Sequence, residues 1–211
     1  MSTEKINFDR FARKKQELKS RLSCRNPKIL ADNTLAKFLP NNSGGGEFIL
    51  PLWDEEIIVS YPEFHAVEKN SGNKLSELDL VTLLYYFGHA DRTPLSGKWI
   101  SYSELPDGQF YNQAFQGYTG KVLARTFSNN RDAFNMAAVR AGGERYELGD
   151  SGFIFKILPK VPTLVVYWMG DEDFGSSTQI LFDEAAGHYL PTDAYAILGS
   201  TLTRKIINAR K

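Results

Sequence analysis

The chain has 211 residues, and its 25 lysines and arginines balance 25 aspartates and glutamates, so the formal net charge is zero. A neutral chain is unlike dedicated nucleic-acid-binding proteins, which neutralise phosphates with clustered basic side chains. The single cysteine, Cys24, excludes an internal disulfide and a metal or iron–sulphur site built from cysteines of this chain alone. No apolar run approaches the ~20 residues that span a bilayer, and no signal-peptide core is present. We therefore expect a cytoplasmic protein without membrane or nucleic-acid partners.

The N-terminal segment is predicted to be a basic helix. Residues 6–23 place apolar side chains at helical spacing. These side chains are Phe8, Phe11, Leu18 and Leu22. Residues 4–28 carry nine basic and three acidic residues, a net charge of +6. We interpret this basic stripe as a solvated helix face, and the alternative is a surface that binds an acidic partner.

A hairpin and a helix are predicted next. Two short apolar runs, Phe48-Ile49-Leu50 and Ile57-Ile58-Val59, are typical of paired strands. Ser76 is expected to cap a helix over residues 77–88 and Gly88 to end it.

The C-terminal half is predicted to contain four strands and three helices. Strands are predicted over 99–103, 152–158, 163–169 and 178–182, and helices over 119–128, 131–141 and 192–209. Helices and hairpins segregate along the chain, so we predict an α+β fold with antiparallel hairpins packed against helices and a helix at each terminus. The predicted organisation is a basic helix over 1–28 followed by a single domain over 29–211.

Aromatic residues are concentrated between Trp99 and Phe127, where seven occur. They either build a core or line a binding site, since tryptophan and tyrosine combine a large apolar surface with a polar group. The walls of such a site would come from Trp99, Tyr102, Phe110, Tyr111 and Phe115, and close backbone approach would come from Gly97 and Gly108. Gly97, Gly108 and Gly117 are also expected to mark tight turns.

Carboxylates near the C-terminus suggest a metal site as an alternative. Asp171 and Asp173 alternate in an acidic loop, but Phe182 stands where a calcium loop needs its bidentate glutamate. A metal site without the calcium-loop spacing would combine Asp171 or Asp173 with Asp183 and His188. The alternative function is then a metal-dependent enzyme that uses these residues. The simpler interpretation is a solvated hairpin tip.

The tetrapeptide Gly149-Asp150-Ser151-Gly152 matches the sequence around the nucleophile of trypsin-like proteases. The helical termini and the single cysteine do not fit such a protease, so we interpret it as a tight turn into a strand.

Several longer sequence segments resemble those of the family called domain of unknown function 3786. They are Thr93-Pro94-Leu95-Ser96-Gly97-Lys98-Trp99-Ile100, Glu104-Leu105-Pro106-Asp107-Gly108, Phe110-Tyr111, Ala114-Phe115, Gly149-Asp150-Ser151-Gly152-Phe153, Leu158-Pro159, Val161-Pro162, Gly170-Asp171-Glu172-Asp173-Phe174, Ile180-Leu181-Phe182-Asp183 and Tyr189-Leu190-Pro191. Together they span most of residues 75–200. The resemblance implies a protein of anaerobic bacteria or archaea, in a family often fused to a four-cysteine module like that of corrinoid iron–sulphur proteins. Cys24 alone cannot hold a cluster, so a partner chain would supply one.

The resemblance and the aromatic stretch together suggest a binding module of anaerobic metabolism. It would hold a corrinoid (cobalamin) or other planar cofactor, or the face of an iron–sulphur or corrinoid protein. His89 would be the axial ligand of a corrinoid, since it is the nearest histidine in sequence. A scaffold that binds protein through the basic face of residues 5–28 is a further alternative. Catalytic residues and oligomeric state stay open.

Overall fold

The computed structural model describes the backbone of residues 3–210 and the side chains of residues 12–210. These residues fall into two compact units. The first ends at Thr93 and also includes His188–Leu190, and the second comprises the rest of the chain from Pro94. The predicted single domain over 29–211 stays a prediction, because compact units of this kind occur both within one domain and as separate domains.

The first unit combines three helices with one antiparallel sheet. The helices are α1 (Thr3–Ser23), α2 (Pro27–Thr34) and α3 (Glu77–His89). The strands are β1 (Lys37–Pro40), β2 (Gly46–Leu52), β3 (Glu55–Tyr61) and β4 (Ala66–Glu68), in that order across the sheet. The predicted hairpin is confirmed, because Phe48 lies opposite Val59 and Leu50 opposite Ile57.

The core of the first unit is aromatic. The rings of Phe48 and Phe64 pack on Phe87 of α3, with centroid distances of 4.8 and 5.7 Å. The predicted α3 cap is confirmed, because the Ser76 side chain accepts a hydrogen bond from the backbone N–H of Asp79. Gly88 lies within the helix instead of ending it, since α3 continues to His89.

The N-terminal helix predicted over 6–23 is confirmed as α1, which packs on α3. Its Leu18 and Leu22 are buried. The predicted positions of Phe8 and Phe11 on the same face lie outside the described side chains. Part of the basic stripe is engaged within the unit, since the Lys15 ammonium lies 2.5 Å from the Glu77 carboxylate.

The second unit combines a five-stranded antiparallel sheet with four α-helices. The strands are β5 (Trp99–Ser101), β6 (Glu144–Tyr146), β7 (Ser151–Leu158), β8 (Val161–Trp168) and β9 (Ser177–Asp183), in the order β5-β9-β8-β7-β6. The helices are α4 (Gly108–Tyr118), α5 (Gly120–Phe127), α6 (Arg131–Arg140) and α7 (Thr192–Asn208). Residues of β7 and β8 are buried on both faces, as expected for a sheet centre covered on both sides.

Most elements of this unit match their predictions, and the α+β class with a helix at each end is confirmed. The region between residues 102 and 118 was predicted wrongly. A short 3-10 turn, Tyr102–Glu104, replaces the end of the predicted strand, and α4 follows where turns were expected. Gly108 begins this helix and Gly117 lies inside it, so only Gly97, with φ of 73°, occupies a turn conformation.

No helix in the described part of the chain is both long enough and apolar enough to cross a membrane.

Candidate functional site

The aromatic stretch divides between the core and the surface of the second unit. Tyr102 and Phe115 are buried and stack on each other, with ring centroids 4.1 Å apart and planes 9° apart. Phe182 of β9 lies against both rings. Two of the five predicted site walls are therefore core residues, and no planar group fits between their rings.

The remaining aromatic side chains of α4 lie on its outer side. Phe110 is 88% exposed, Tyr111 65% and Tyr118 37%. The small residues Ala114 and Gly117 are exposed between them. We call the surface made by these five residues the α4 face. A helix with three exposed rings has more apolar surface than a solvated helix face needs.

The α4 face also lacks charge. The sequence of α4, GQFYNQAFQGY, contains no acidic and no basic residue. Charged groups flank it in sequence, with Asp107 directly before the helix and Lys121 shortly after it. An exposed aromatic surface without charged residues at its centre matches the composition of protein-binding surfaces, in which charged residues are depleted at the centre.

Burial keeps the hydroxyls of the core residue Tyr102 and of Tyr118, which belongs to the face, neutral at physiological pH. Burial, and then the neighbouring Tyr118, Asp193 and Tyr111, raise the pKa of Tyr102 to about 12. Burial also raises the pKa of Tyr118. Its hydroxyl therefore offers a hydrogen-bond donor without a charge.

Trp99 and Gly97 are engaged within the unit. The Trp99 indole N–H donates to the Tyr146 hydroxyl at 2.9 Å, and the two rings meet edge to face. Gly97 donates its backbone N–H to the Asp183 carboxylate at 2.8 Å. Trp99 is half-buried and is engaged with Tyr146 of β6, so neither residue is part of the α4 face.

Asp183 is 3% exposed and organises the chain around β5. Its carboxylate also accepts backbone N–H groups of Ser96 and Ala185 at 3.0 and 2.9 Å. A buried carboxylate needs such donors, because an unpaired charge is costly to bury. These bonds make Asp183 a structural anchor of the turn before β5.

Asp171 and Asp173 lie on an exposed hairpin tip. The Asp171 carboxylate accepts the backbone N–H groups of Phe174 and Asp173 at 2.7 and 2.9 Å. These hydrogen bonds lower the pKa of Asp171. Asp183 lies elsewhere in the same unit and His188 belongs to the first unit. Among the residues that the structure describes, no three His, Cys, Asp or Glu side chains form a group that could hold a metal ion.

His188 instead forms a cluster with Asp91 and Thr93, which sequence reasoning missed. Its Nδ1 lies 2.7 Å from Asp91 Oδ2 and 3.1 Å from Thr93 Oγ1. Asp91 Oδ1 accepts the backbone N–H of Thr93 at 3.0 Å. The bond from His188, together with those from Thr93, lowers the pKa of Asp91 to about 2. These partners are 97 and 95 residues apart from His188 in sequence, so no local motif could reveal them.

His89 lies at the end of α3 in the first unit, whereas the aromatic stretch belongs to the second. Its Nδ1 is 3.3 Å from the carbonyl oxygen of Tyr85, one turn earlier in the same helix. His89 therefore lies in the last turn of the helix, where an imidazole interacts favourably with the terminal carbonyl groups.

Ser151 begins β7 and is buried. Its hydroxyl bonds to the Asn135 side chain and accepts a hydrogen bond from the Arg145 guanidinium at 2.7 Å. The Arg145 guanidinium also lies 5.4 Å from the centroid of the Phe153 ring. These contacts give the hydroxyl a structural role.

A broad surface hollow lies near the N-terminus of α6. Its lining residues are Asn129, Asn130, Arg131, Asp132 and Met169. It includes no residue predicted for a site. The Asn129 side chain bonds to both backbone groups of Gly170, so part of this wall supports the loop after β8.

Comparison with known proteins places the chain in a family. The model of the domain of unknown function DUF3786 matches residues 26–205, which is most of the chain. The chain therefore belongs to this family, as the sequence phrases predicted. No curated protein and no solved structure matches the chain.

Proposed function

We propose that the chain is a protein-binding module and that the α4 face is its docking surface. One observation carries the proposal: Phe110, Tyr111 and Tyr118 are exposed on a helix that has no charged residue. Large aromatic side chains supply much of the energy of protein association when a partner excludes water from them.

The chemistry of the α4 face defines the contact that it would make. Its centre offers rings and the two small residues Ala114 and Gly117, over which a partner's apolar side chain fits. The phenols of Tyr111 and Tyr118 donate hydrogen bonds, so the partner presents acceptors beside its apolar centre. Gln109, Asn112 and Gln113 supply uncharged polar groups around the rings.

The partner class that we propose is an iron–sulphur or corrinoid protein of anaerobic metabolism, in the cytoplasm. This choice comes from the family resemblance. The chain has one cysteine, Cys24, which is exposed, and a four-cysteine cluster does not fit it. The cluster therefore belongs to the partner in this proposal.

Direct binding of a corrinoid stays a prediction. Of its five predicted walls, Phe110 and Tyr111 are exposed, and they lie on the outer side of a helix. That position favours contact with another protein over enclosure of a cofactor, because small-molecule sites are concave and bury most of the ligand.

A titration with a purified corrinoid iron–sulphur protein tests the proposal under anaerobic conditions. We expect saturable binding that Phe110→Ser with Tyr111→Ser weakens at least about tenfold, as for residues at an interface centre. The matched control is Met136→Ser with Val139→Ser, which removes two exposed apolar side chains of α6 and should leave the affinity unchanged.

The salt dependence of the same titration separates this proposal from the basic scaffold. Contact through an uncharged helix should weaken little between low and high salt, whereas contact through residues 5–28 should weaken steeply. No binding would overturn the proposed partner class. Binding that the α4 variant leaves unchanged would overturn the docking surface.

A further inference from the structure

An arginine without a carboxylate partner lies in the edge strand β6 of the second unit. Arg145 is exposed and lies opposite Phe153 of β7, so both side chains are on the same face of the sheet. Helix α6 packs on that face, where the Phe134 ring centroid lies 5.9 Å from that of Phe153. Among the described residues no aspartate or glutamate forms an ion pair with Arg145, and the neighbouring Glu144 is paired with Lys156. The positive charge of Arg145 is therefore not neutralised by a contact within the described part of the chain.

Three contacts hold the Arg145 guanidinium in place. Its Nη1 donates to the Ser151 hydroxyl at 2.7 Å and to the Asn135 side-chain oxygen at 3.3 Å. Its central carbon lies over the Phe153 ring, 5.4 Å from the centroid. Ser151 is fully buried and donates its own hydroxyl hydrogen to Asn135, so the fold fixes both of these supports. An arginine that is already held in one orientation loses less side-chain freedom when it binds a ligand.

The same contacts leave one edge of the guanidinium free. Arginine carries N–H hydrogens on Nε, Nη1 and Nη2, and those on Nη1 are directed to Ser151 and Asn135. Nε and Nη2 of Arg145 form no hydrogen bond with any residue that the structure describes. These two nitrogens lie side by side in the guanidinium plane, with the spacing that matches two oxygens of a carboxylate or a phosphate. The free edge therefore has the geometry for bidentate recognition of an oxyanion.

We infer that Arg145 binds an oxyanion, a carboxylate or phosphate group carried by another molecule. Two oxygens of that group accept hydrogen bonds from Nε–H and Nη2–H, while Ser151 and Asn135 keep the guanidinium in orientation. The buried hydroxyl of the Gly149-Asp150-Ser151-Gly152 tetrapeptide is then a positioning group for Arg145 and not a nucleophile. The site uses none of the residues of the α4 face, so it is independent of the proposed function.

The test is a nuclear magnetic resonance titration of the full chain, observed at the Nε–H groups of its arginines. The probes are phenyl phosphate and benzoate, and the control is benzamide, which has the same ring without a charge. We expect at least one of the anions to shift the Arg145 Nε–H signal saturably, because bidentate binding places an oxygen on that hydrogen. Tighter binding of phenyl phosphate assigns the site to phosphate groups, and tighter binding of benzoate assigns it to carboxylates. Benzamide should leave the signal unchanged.

A matched pair of variants tests the arginine itself. Arg145→Lys keeps the charge but loses the planar donor edge, so we expect it to weaken binding of the anion at least about fivefold. Backbone amide signals of β6 measure this loss, since the variant has no Nε–H at position 145. The control, Arg125→Lys, changes another exposed arginine of the same unit and should bind as the unaltered chain does.

Ser151→Ala tests the positioning role, since it removes the hydroxyl that accepts from Nη1. The Arg145 Nε–H signal should then move even without a probe, and the anion should bind about threefold more weakly because the guanidinium is less well held. Equal shifts with benzamide and with the anions, or binding that Arg145→Lys leaves unchanged, would overturn the inference. An equal loss in Arg125→Lys would also overturn it, because a diffuse charge effect would then explain the binding. Unchanged binding in Ser151→Ala would overturn the role of the hydroxyl.

Discussion

Gly108 lies where α4 meets the turn before it, and a side chain does not fit there. A Cβ atom at this position would lie 1.9 Å from the carbonyl oxygen of Tyr102. That oxygen belongs to the backbone, so relief of the clash requires the helix or the turn to move. Glycine at 108 therefore allows α4 to begin close to Tyr102.

We expect Gly108→Ala to destabilise the chain by about 1–3 kcal/mol, as overpacking of a tight site does. The matched control is Gly117→Ala in the same helix, where a Cβ would meet no atom within 4 Å. It should stabilise the chain by up to about 1 kcal/mol, because alanine favours a helix interior. Urea unfolding of both variants measures the difference, and a Gly108→Ala chain as stable as the parent would contradict the proposed fit.

Asp91 gives the stability of the chain a defined pH dependence. Its pKa is lowered from 3.8 to about 2 in the folded chain, chiefly by the bond from His188. A group whose folded pKa is lowered stabilises the fold above its unfolded pKa, and this contribution is lost as pH falls through the folded pKa.

We therefore expect the parent chain to be more stable than Asp91→Asn at pH 6. The difference should shrink as pH falls from about 4 towards 2, since asparagine does not titrate. Urea unfolding at several pH values measures it. A difference that stays constant over this window would show that Asp91 does not act through its charge.

Asp183 shows what the sequence can and cannot reveal about a single residue. The sequence predicts it as a metal ligand because carboxylate oxygens are ligands that metal ions prefer. In the structure it holds the backbone of Ser96 and Gly97, which lie 87 and 86 residues away. An aspartate that binds a metal and an aspartate that accepts backbone hydrogen bonds look the same in sequence, so only the fold distinguishes the two roles.

At the scale of elements, α4 has two faces with opposite roles. Phe115 is buried against Tyr102 and Phe182, whereas Phe110 is exposed. We expect Phe115→Ala to cost about 3–5 kcal/mol of unfolding free energy. Phe110→Ala should change it by no more than about 0.5 kcal/mol, as for an exposed side chain. Urea unfolding tests the pair, and a large cost at Phe110 would show that its ring packs within the fold.

Short runs of apolar, β-branched and aromatic residues explain why most strands were predictable and α4 was not. In β2 and β3 these runs are Phe48-Ile49-Leu50 and Ile57-Ile58-Val59, and they are visible in sequence. The α4 segment mixes glycine, asparagine and aromatic residues, which have low or middling helix propensity. Burial of Phe115 stabilises the helix, and that contact depends on residues distant in sequence.

At the scale of the whole molecule, the two units carry different chemistry. The first holds the Asp91–His188 cluster and the second holds the α4 face. Membership of the DUF3786 family covers residues of both units, since the match runs from 26 to 205. Sequence phrases identified the family, but they did not separate the core aromatic residues from the exposed ones.

The central claim is that the α4 face docks another protein. A photo-reactive benzoylphenylalanine at position 110, in cells that make the chain naturally, tests it most directly, with the same group at position 136 on α6 as the control. We predict one dominant adduct from position 110, absent at 136, whose captured protein holds a corrinoid or an iron–sulphur cluster. Equal labelling from both positions, or no adduct from 110, would contradict the claim. A single captured protein without these cofactors, or a second copy of the chain, would contradict the partner class.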